Sequence, residues 1–259
     1  MTNEDPERSK AGRVLDDRRA LGNMAPRAPE EDASDLSSPN VYRVIDSLWS
    51  ACLLAFTGGS LDAFLFLNHG RVFAGVMSGN AVLLGLAVFA YTRLGVIHYL
   101  RPLVAYVCGL FLIAMLQRRV PHHSVRLALT ILIVGLLALS FVPANFPEET
   151  YIFLVVLLTG FMVGIARRVH SYAYNATVLT GTLRDATTSL YDTLNPVSRG
   201  RNLERARDLW SIVVSLIAGA AAGGLLARHI GNHTLWMPAG ILVIVLVTVL
   251  RKVGLRPVS

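Results

Sequence analysis

Seven predominantly apolar stretches, each close to the length of a membrane-crossing helix, dominate this chain of 259 residues. A helix needs about 20 apolar residues to cross the hydrocarbon core of a bilayer. These runs do not alternate with polar residues, which argues against an outer-membrane β-barrel. The sequence therefore predicts an all-α, polytopic membrane protein with about six to seven transmembrane helices. The predicted spans are Ile45–Leu67, Val72–Thr92, Leu100–Gln117, Leu127–Val142, Tyr151–Ala166, Leu209–Ala227 and Leu235–Leu250.

Composition agrees with a lipid environment, because 53% of the residues are hydrophobic, 16% are charged and the mean hydropathy is +0.51. Residues 1–40 differ, with several prolines, charges of both signs and few large apolar side chains. They are predicted to form a disordered polar tail, and residues 41–259 an integral membrane domain. Cys52 and Cys108 fall within predicted spans, so we expect buried thiols rather than a disulfide. The histidines lack ligand spacing, and neither a metal site nor a cofactor is expected.

Two short polar triplets, Ser78-Gly79-Asn80 and Thr180-Gly181-Thr182, follow similar apolar residues in the two halves of the chain. An offset of 102 residues superimposes them and also carries Gly58 onto Gly160. The same offset relates the flanking spans. The sequence therefore predicts two copies of a unit made of span, triplet segment, span and span, at about residues 45–142 and 151–250.

The direction of the two copies depends on whether the triplet segments cross the membrane. The second segment carries Arg184, Asp185 and Asp192, a poor composition for a lipid-facing span. If both segments re-enter, each copy has three crossings and the copies are inverted. Thirteen basic residues then lie on the side of the N-terminus and four on the other, against ten and seven if every segment crosses. The positive-inside rule favours the inverted arrangement and a cytoplasmic C-terminus, although Val72–Thr92 is apolar enough to span outright.

These segments also carry a family resemblance. The run Gly59-Ser60-Leu61-Asp62-Ala63-Phe64, followed by Phe73 and Met77-Ser78-Gly79-Asn80, resembles the first signature block of the YoaK family of uncharacterised bacterial inner-membrane proteins. Gly164 and the run Thr177-Val178-Leu179-Thr180-Gly181-Thr182-Leu183 resemble the second block. Ser78 replaces the family's usual threonine, and Ile165-Ala166-Arg167 replaces a glutamine-asparagine-alanine run. The resemblance implies about six spans, a bacterial plasma membrane and no established substrate.

Asp62 is the most conspicuous single residue, because it lies within a predicted span. A carboxylate there is expected to be protonated, paired or exposed to a wet cavity. One interpretation is an ion- or proton-coupling group in a permeation path. Another is a structural partner of a basic or amide group such as Asn80 or Arg184, and a third is a place near the membrane interface.

The triplet residues Ser78, Asn80, Thr180 and Thr182 also allow two interpretations. If the triplets break helices at mid-depth, Asn80 and Thr182 cap half-helices whose positive ends face a solute. Otherwise the small residues only permit close helix packing. Arg184 and Asp185 are adjacent, so on a helix they point about 100° apart. Arg184 is a candidate solute contact, with snorkelling as the competing explanation.

The leading hypothesis for function is a small-solute transporter or channel. Its expected substrate-binding residues are Asp62, Ser78, Asn80, Thr180, Thr182, Arg184 and Asp185. An enzyme is not expected, because the chain has neither a mid-span histidine beside a serine motif nor a paired aspartate motif. The alternative is a non-transporting membrane factor that binds a protein or lipid. The expected partners are the lipid bilayer and an unidentified small solute, with no nucleic acid and with a homo-oligomer left open.

Overall fold

The apolar stretches form helices in the computed structural model, which describes residues 47–90, 93–121, 123–143, 145–165, 168–169, 172–173, 179–194 and 199–254. The predicted N-terminal tail lies outside these residues. Short 3₁₀ turns, Asp192–Leu194 and Gly231–Leu235, and a two-residue antiparallel pair, β1 (Arg168–Val169) and β2 (Tyr172–Ala173), connect the helices. The α-helices of the described ranges are α1 (Leu48–Asn68), α2 (Met77–Phe89), α3 (Arg93–Arg119), α4 (Ser124–Ser140), α5 (Glu148–Val163), α6 (Leu179–Tyr191), α7 (Arg199–Ile230) and α8 (Trp236–Gly254).

These helices confirm the predicted class, a helical membrane protein. Among the described residues, three helical stretches are long and apolar enough to cross a membrane: Leu48–Asn68, Arg93–Arg119 and Gly200–Arg251, the last of which contains most of α7 and α8. Six of the seven predicted spans coincide with helices. The predicted span Val72–Thr92 is wrong as a continuous helix, because only Met77–Phe89 is helical there.

Helix α1 occupies the centre of the bundle. Its middle turns bury the small and polar residues Thr57, Gly58, Gly59, Ser60 and Asp62. The Thr57 hydroxyl donates to the Leu53 carbonyl and the Ser60 hydroxyl to the Thr57 carbonyl, so both are satisfied within the helix. Large apolar side chains instead cover the outside of the peripheral helices, as expected for a surface in lipid. Examples with more than half of the side chain exposed are Phe89, Leu94, Phe111, Val134 and Leu225.

Glycines bring α1 and α7 into backbone contact. A Cβ atom at Gly219 would meet the Phe56 backbone, and one at Gly223 would meet that of Ser60. A Cβ at Gly59 would likewise collide with the Leu216 carbonyl. These contacts advance together along both helices, so α1 and α7 run in the same direction. They confirm that Gly59 and the α7 glycines serve close packing.

Helices α3 and α5 form a second pair of the same kind. A Cβ atom at Gly109 would meet the Leu157 carbonyl, and one at Gly160 would meet the Tyr106 backbone. Further along, Gly164 lies against Ile113. This pair also runs in one direction, and the two pairs are the most extensive helix contacts among the described residues.

One end of the bundle, here called the upper end, gathers several helix termini. The Asn68 side chain, at the end of α1, donates to the Ala227 carbonyl near the end of α7 at 2.9 Å. His98, near the start of α3, contacts Glu149 at the start of α5 at 2.8 Å. The Trp236 indole, at the start of α8, donates to the hydroxyl of Ser140 at the end of α4. Helices α1, α4 and α7 therefore end at the upper end, where α3, α5 and α8 begin.

Helix α2 does not cross the bundle. His98 Nε2 donates to the Gly70 carbonyl at 2.8 Å, so the residues before α2 lie beside the start of α3, which follows it. The 13 residues of α2 make a helix of about 20 Å, shorter than the hydrocarbon core of about 30 Å. The chain from Gly70 to Arg93 thus leaves the upper end, turns inside the bundle and returns to it. Residues 70–90 therefore form a re-entrant segment.

The sidedness of this segment can be tested by cysteine labelling, with Cys52 and Cys108 replaced by alanine. Arg71→Cys and Arg93→Cys, both at exposed positions, should react with an impermeant maleimide from the same side of the membrane. Val120→Cys, beyond the far end of α3, should react only from the opposite side. Labelling of Arg71→Cys and Arg93→Cys from opposite sides would mean that the chain crosses the bilayer between these two positions.

The glycine contacts predict unequal effects of the same substitution. Gly219→Ala places a Cβ against the Phe56 backbone and should destabilise the protein by about 1–3 kcal/mol. Gly85→Ala is the matched control, since a Cβ there meets nothing within 4 Å. It should be neutral or stabilising by up to about 1 kcal/mol. Denaturation of both variants with sodium dodecyl sulfate in mixed micelles measures the difference, and equal stabilities would contradict the α1–α7 packing.

Candidate functional site

Asp62 is buried in the middle of α1, with 6% of its surface exposed. Its Oδ1 accepts hydrogen bonds from the backbone N–H groups of Gly75 at 2.7 Å and Val76 at 3.4 Å, and the N–H of Ala74 also faces the carboxyl group. Its Oδ2 is buried and has no hydrogen bond of ordinary geometry among the described residues. The partner of Asp62 is therefore the backbone at the start of the re-entrant helix, rather than Asn80 or Arg184.

This contact explains how an irregular segment can lie inside the bundle. Residues just before α2 have N–H groups that no helical carbonyl accepts, and the helix dipole places partial positive charge there. The carboxylate of Asp62 accepts hydrogen bonds from these N–H groups and places a negative charge beside the partial positive charge. Val76, the N-cap of α2, makes no side-chain capping bond, so the acceptor comes from α1 instead.

Asn80 is fully buried and is hydrogen-bonded to the same segment. Its Oδ1 accepts from the Phe73 N–H at 2.9 Å, and its Nδ2 donates to the Phe73 carbonyl at 2.8 Å. The amide thus pairs with one backbone residue through both of its polar atoms. Of the two interpretations of the triplets, the one in which Asn80 caps a half-helix does not fit, because Asn80 lies one turn inside α2 and bonds to the chain that precedes it.

A cavity of about 610 Å³ lies beside Asp62, between α1, the re-entrant segment and α7. Its wall is largely apolar and includes Phe66, Phe73 and Leu216. The charged groups that line it are Asp62 and Arg228, near the end of α7. This volume is within the range of small-molecule sites in proteins, about 300–1,000 Å³. Arg228 is not among the residues predicted for the site, because no local pattern in the sequence relates it to Asp62.

The remaining predicted site residues do not line this cavity. Ser78, Thr180 and Arg184 are exposed, and Asp185 is half-buried. Thr182 is buried on α6, the helix that carries the second triplet and packs against α7. The structure therefore brings Asp62 and Asn80 to the residues just before α2, leaves Ser78 on the exposed face of α2, and places the other four predicted residues on α6.

A polar cluster at the upper end was also missed. His98 faces an acceptor at each ring nitrogen, Glu149 Oε1 at 2.8 Å and the Gly70 carbonyl at 2.8 Å, which is the pattern of a protonated imidazole. Arg101 Nη1 lies 3.1 Å from the other oxygen of Glu149. His69 follows α1, and its Nε2 lies 3.0 Å from Asn232 Oδ1. No local pattern indicates these pairs, because their members are far apart along the chain.

The described residues contain no group of three or more histidine, cysteine, aspartate or glutamate side chains placed to hold a metal ion. The arrangement instead offers a buried carboxylate with one occupied and one vacant oxygen, next to a small-molecule cavity. Such a group can take up a proton, or pair with a cation, after a small movement of the segment that covers it.

A protein-family model described as "Protein of unknown function (DUF1275)" matches residues 50–248. This chain belongs to the DUF1275 family. The UPF0700 transmembrane protein YoaK of Bacillus subtilis (strain 168) is 26% identical over 210 residues, which cover 78% of this chain and 93% of that protein. Both findings confirm the resemblance to the YoaK family, and the DUF1275 match contains both polar triplets. No solved structure matches the chain.

The two bonds of Asn80 predict a loss of stability in this DUF1275 protein when the amide is removed. Asn80→Ala leaves the N–H and carbonyl of Phe73 without partners and should cost about 1–3 kcal/mol. The exposed neighbour provides the control, since Ser78→Ala should change stability by less than about 0.5 kcal/mol. Thermal unfolding in detergent compares them. If both variants unfold at the same temperature as the unsubstituted protein, the bonds of the Asn80 side chain do not stabilise the segment.

Proposed function

We propose that this protein is a small-solute transporter or channel, with a central site at Asp62. The observation that supports this most is the buried carboxylate, bound through Oδ1 to the re-entrant segment, with Oδ2 free of a hydrogen bond of ordinary geometry among the described residues, beside a cavity of about 610 Å³. A membrane protein keeps an ionisable group inside its bundle at a considerable energetic cost, which favours a functional role. We infer no catalytic role for it.

The helix contacts support an inverted internal repeat, α1–α4 and α5–α8. The first helix of each half packs on the third helix of the other, as α1 on α7 and α5 on α3, and the two fourth helices, α4 and α8, pack on each other. Tyr151 at the start of α5 contacts His69 after the end of α1, so the two first helices are antiparallel. In this alignment Gly160 corresponds to Gly59, one residue from the Gly58 that the sequence offset selected. Inverted repeats with broken helices are a frequent architecture of secondary transporters.

The same arrangement supports a plasma-membrane orientation with a cytoplasmic C-terminus. The ends of α3 and α8 and the starts of α4 and α7 lie away from the upper end. Most arginines of the described residues lie there, including Arg118, Arg119, Arg126, Arg205 and Arg251. The upper end has fewer: Arg71, Arg93, Arg101 and Arg228. By the positive-inside rule, the upper end faces away from the cytoplasm.

Asp62 can couple occupancy of the cavity to the position of α2. A charged carboxylate forms hydrogen bonds roughly twice as strong as a neutral one. A proton or a cationic group that neutralises Asp62 therefore weakens its hold on Gly75 and Val76. In this mechanism, binding next to Asp62 loosens the start of the re-entrant helix, and release of the bound group restores the contact.

A second candidate function is a non-transporting factor that binds lipid or a protein partner. It is favoured by α6, whose apolar residues Leu183 and Leu190 are exposed, as are Tyr191 and Leu194 at its end. Arg184, on the same helix, is also exposed. Exposed apolar and basic groups on one short helix are typical of contact with an anionic membrane surface.

The Asp62→Asn variant distinguishes the transport proposal from the second candidate function. Asparagine keeps an oxygen that can accept from Gly75 but cannot change its charge, so flux should fall by about tenfold or more while folding is retained. The assay uses proteoliposomes and a panel of labelled amino acids, organic acids, amines and sugars. Ser78→Ala, at an exposed site of the re-entrant helix, should retain the flux. Folded protein without flux for any panel member would contradict transport and favour the second function.

A further inference from the structure

The cavity beside Asp62 opens sideways on the surface of the bundle. Apolar side chains that line it are also exposed on the outer faces of α1 and α7, namely Phe66, Leu67, Ala221 and Leu225. Exposed apolar side chains of a membrane-spanning bundle face the hydrocarbon of the bilayer. The opening of this cavity is therefore bordered by lipid.

Helix α1 gives the depth of the cavity in the membrane. Its 21 residues make a helix of about 31 Å, close to the thickness of the hydrocarbon core, about 30 Å. The deep end of the cavity lies at Gly59, in the middle of α1, where a Cβ atom would meet the Leu216 carbonyl. The other end lies at Arg228, directly after the residue whose carbonyl accepts from Asn68 at the end of α1. The cavity thus extends from the middle of the bilayer to the upper end of the bundle.

The length of the cavity matches one leaflet of the membrane. The rise of α7 from Leu216 to Arg228 is about 18 Å. One leaflet supplies half of the hydrocarbon core, about 15 Å. Between the two ends the wall is apolar and includes the stacked rings of Phe66 and Phe73, whose centroids are 4.9 Å apart. An extended hydrocarbon chain, parallel to the helices, fits this shape and this chemistry.

The carboxylate of Asp62 adds little polar surface at the deep end. Asp62 is 6% exposed, its Oδ1 accepts from the N–H groups of Gly75 and Val76, and its Oδ2 is buried. A polar solute reaches this carboxylate only after the re-entrant segment has moved. In the arrangement described, the deep end accommodates the apolar end of a ligand.

Arg228 supplies a cation without an anion at the upper end. Its side chain is exposed, and it has no hydrogen bond or ion pair with another described residue. Glu149, at the same end, bonds to His98 instead. Glu148 lies 4.0 Å from His69. A guanidinium at the level of the lipid headgroups attracts a phosphate, to which it can donate two hydrogen bonds.

We propose that this cavity holds one acyl chain of an anionic phospholipid from the adjacent leaflet, with the phosphate on Arg228. The second chain of the lipid remains in the bilayer, which the sideways opening permits. Bilayer chains border the opening at a concentration that a dissolved solute does not reach, so mass action favours them as occupants. A solute that approaches Asp62 has to displace the chain. The inference concerns lipid binding and does not rest on transport, so an absence of flux would leave it intact.

Native mass spectrometry of the full chain tests the headgroup contact. The protein is released from micelles that contain equal amounts of palmitoyl-oleoyl phosphatidylglycerol and phosphatidylcholine, which have the same chains. We expect the first retained lipid to be phosphatidylglycerol with a preference of about fivefold, the contribution of one basic residue near an anionic lipid. Arg228→Gln should reduce the preference to less than about twofold. Arg93→Gln should retain it, because Arg93 is an exposed arginine of the upper end that does not line the cavity. No preference in the unsubstituted protein, or equal losses in both variants, would overturn the proposal.

A second pair of variants tests where the chain lies. Ala221→Phe places a ring at an exposed position in the wall of the cavity and should reduce the retention of phosphatidylglycerol by about threefold or more. Ala218→Phe is the same change at an exposed position of α7 outside the cavity, and it should leave retention unchanged. Size-exclusion chromatography verifies that both variants are folded. Equal retention by the two variants would overturn the assignment of the chain to this cavity.

Discussion

The bonds between the Asp62 carboxylate and the backbone N–H groups of Gly75 and Val76 hold an irregular segment of chain inside a helical bundle. In hydrocarbon, unpaired backbone groups are excluded unless protein groups satisfy them. Asp62 accepts hydrogen bonds from the backbone N–H groups just before α2, and Asn80 pairs with the backbone of Phe73 in the same stretch. Without these acceptors, an apolar segment of this length would be expected to form a plain transmembrane helix. The re-entrant architecture therefore depends on two polar side chains.

Close glycine contacts determine where those polar groups lie. Because Gly59 and Gly219 let the backbones of α1 and α7 touch, α1 is enclosed on most sides and its polar middle is kept from lipid. The aliphatic residues face outward, where lipid is as apolar as they are. Polar residues inside and apolar residues outside are thus two results of one packing scheme.

The sequence predicted the helical class and most helix positions, because long apolar runs depend only on local composition. It also placed Asp62 within a span and named Asn80 among seven candidate site residues. It could not distinguish Asn80 from Ser78, since the rotation of α2 is set by its tertiary contacts. The apolar character of Val72–Thr92 likewise concealed the non-helical residues before Met77. The polar contacts at the upper end had no local signal, because His69 and Asn232 meet only in the folded chain.

The crossed pairing of helices has a consequence for biosynthesis. Helix α1 finds its main partner in α7, more than half the chain further on. At ordinary rates of synthesis, roughly ten to thirty seconds pass between their emergence from the ribosome. During that interval Thr57, Ser60 and Asp62 have no α7 to enclose them. We therefore expect the packing of α1 to be completed only after α7 has been synthesised and inserted.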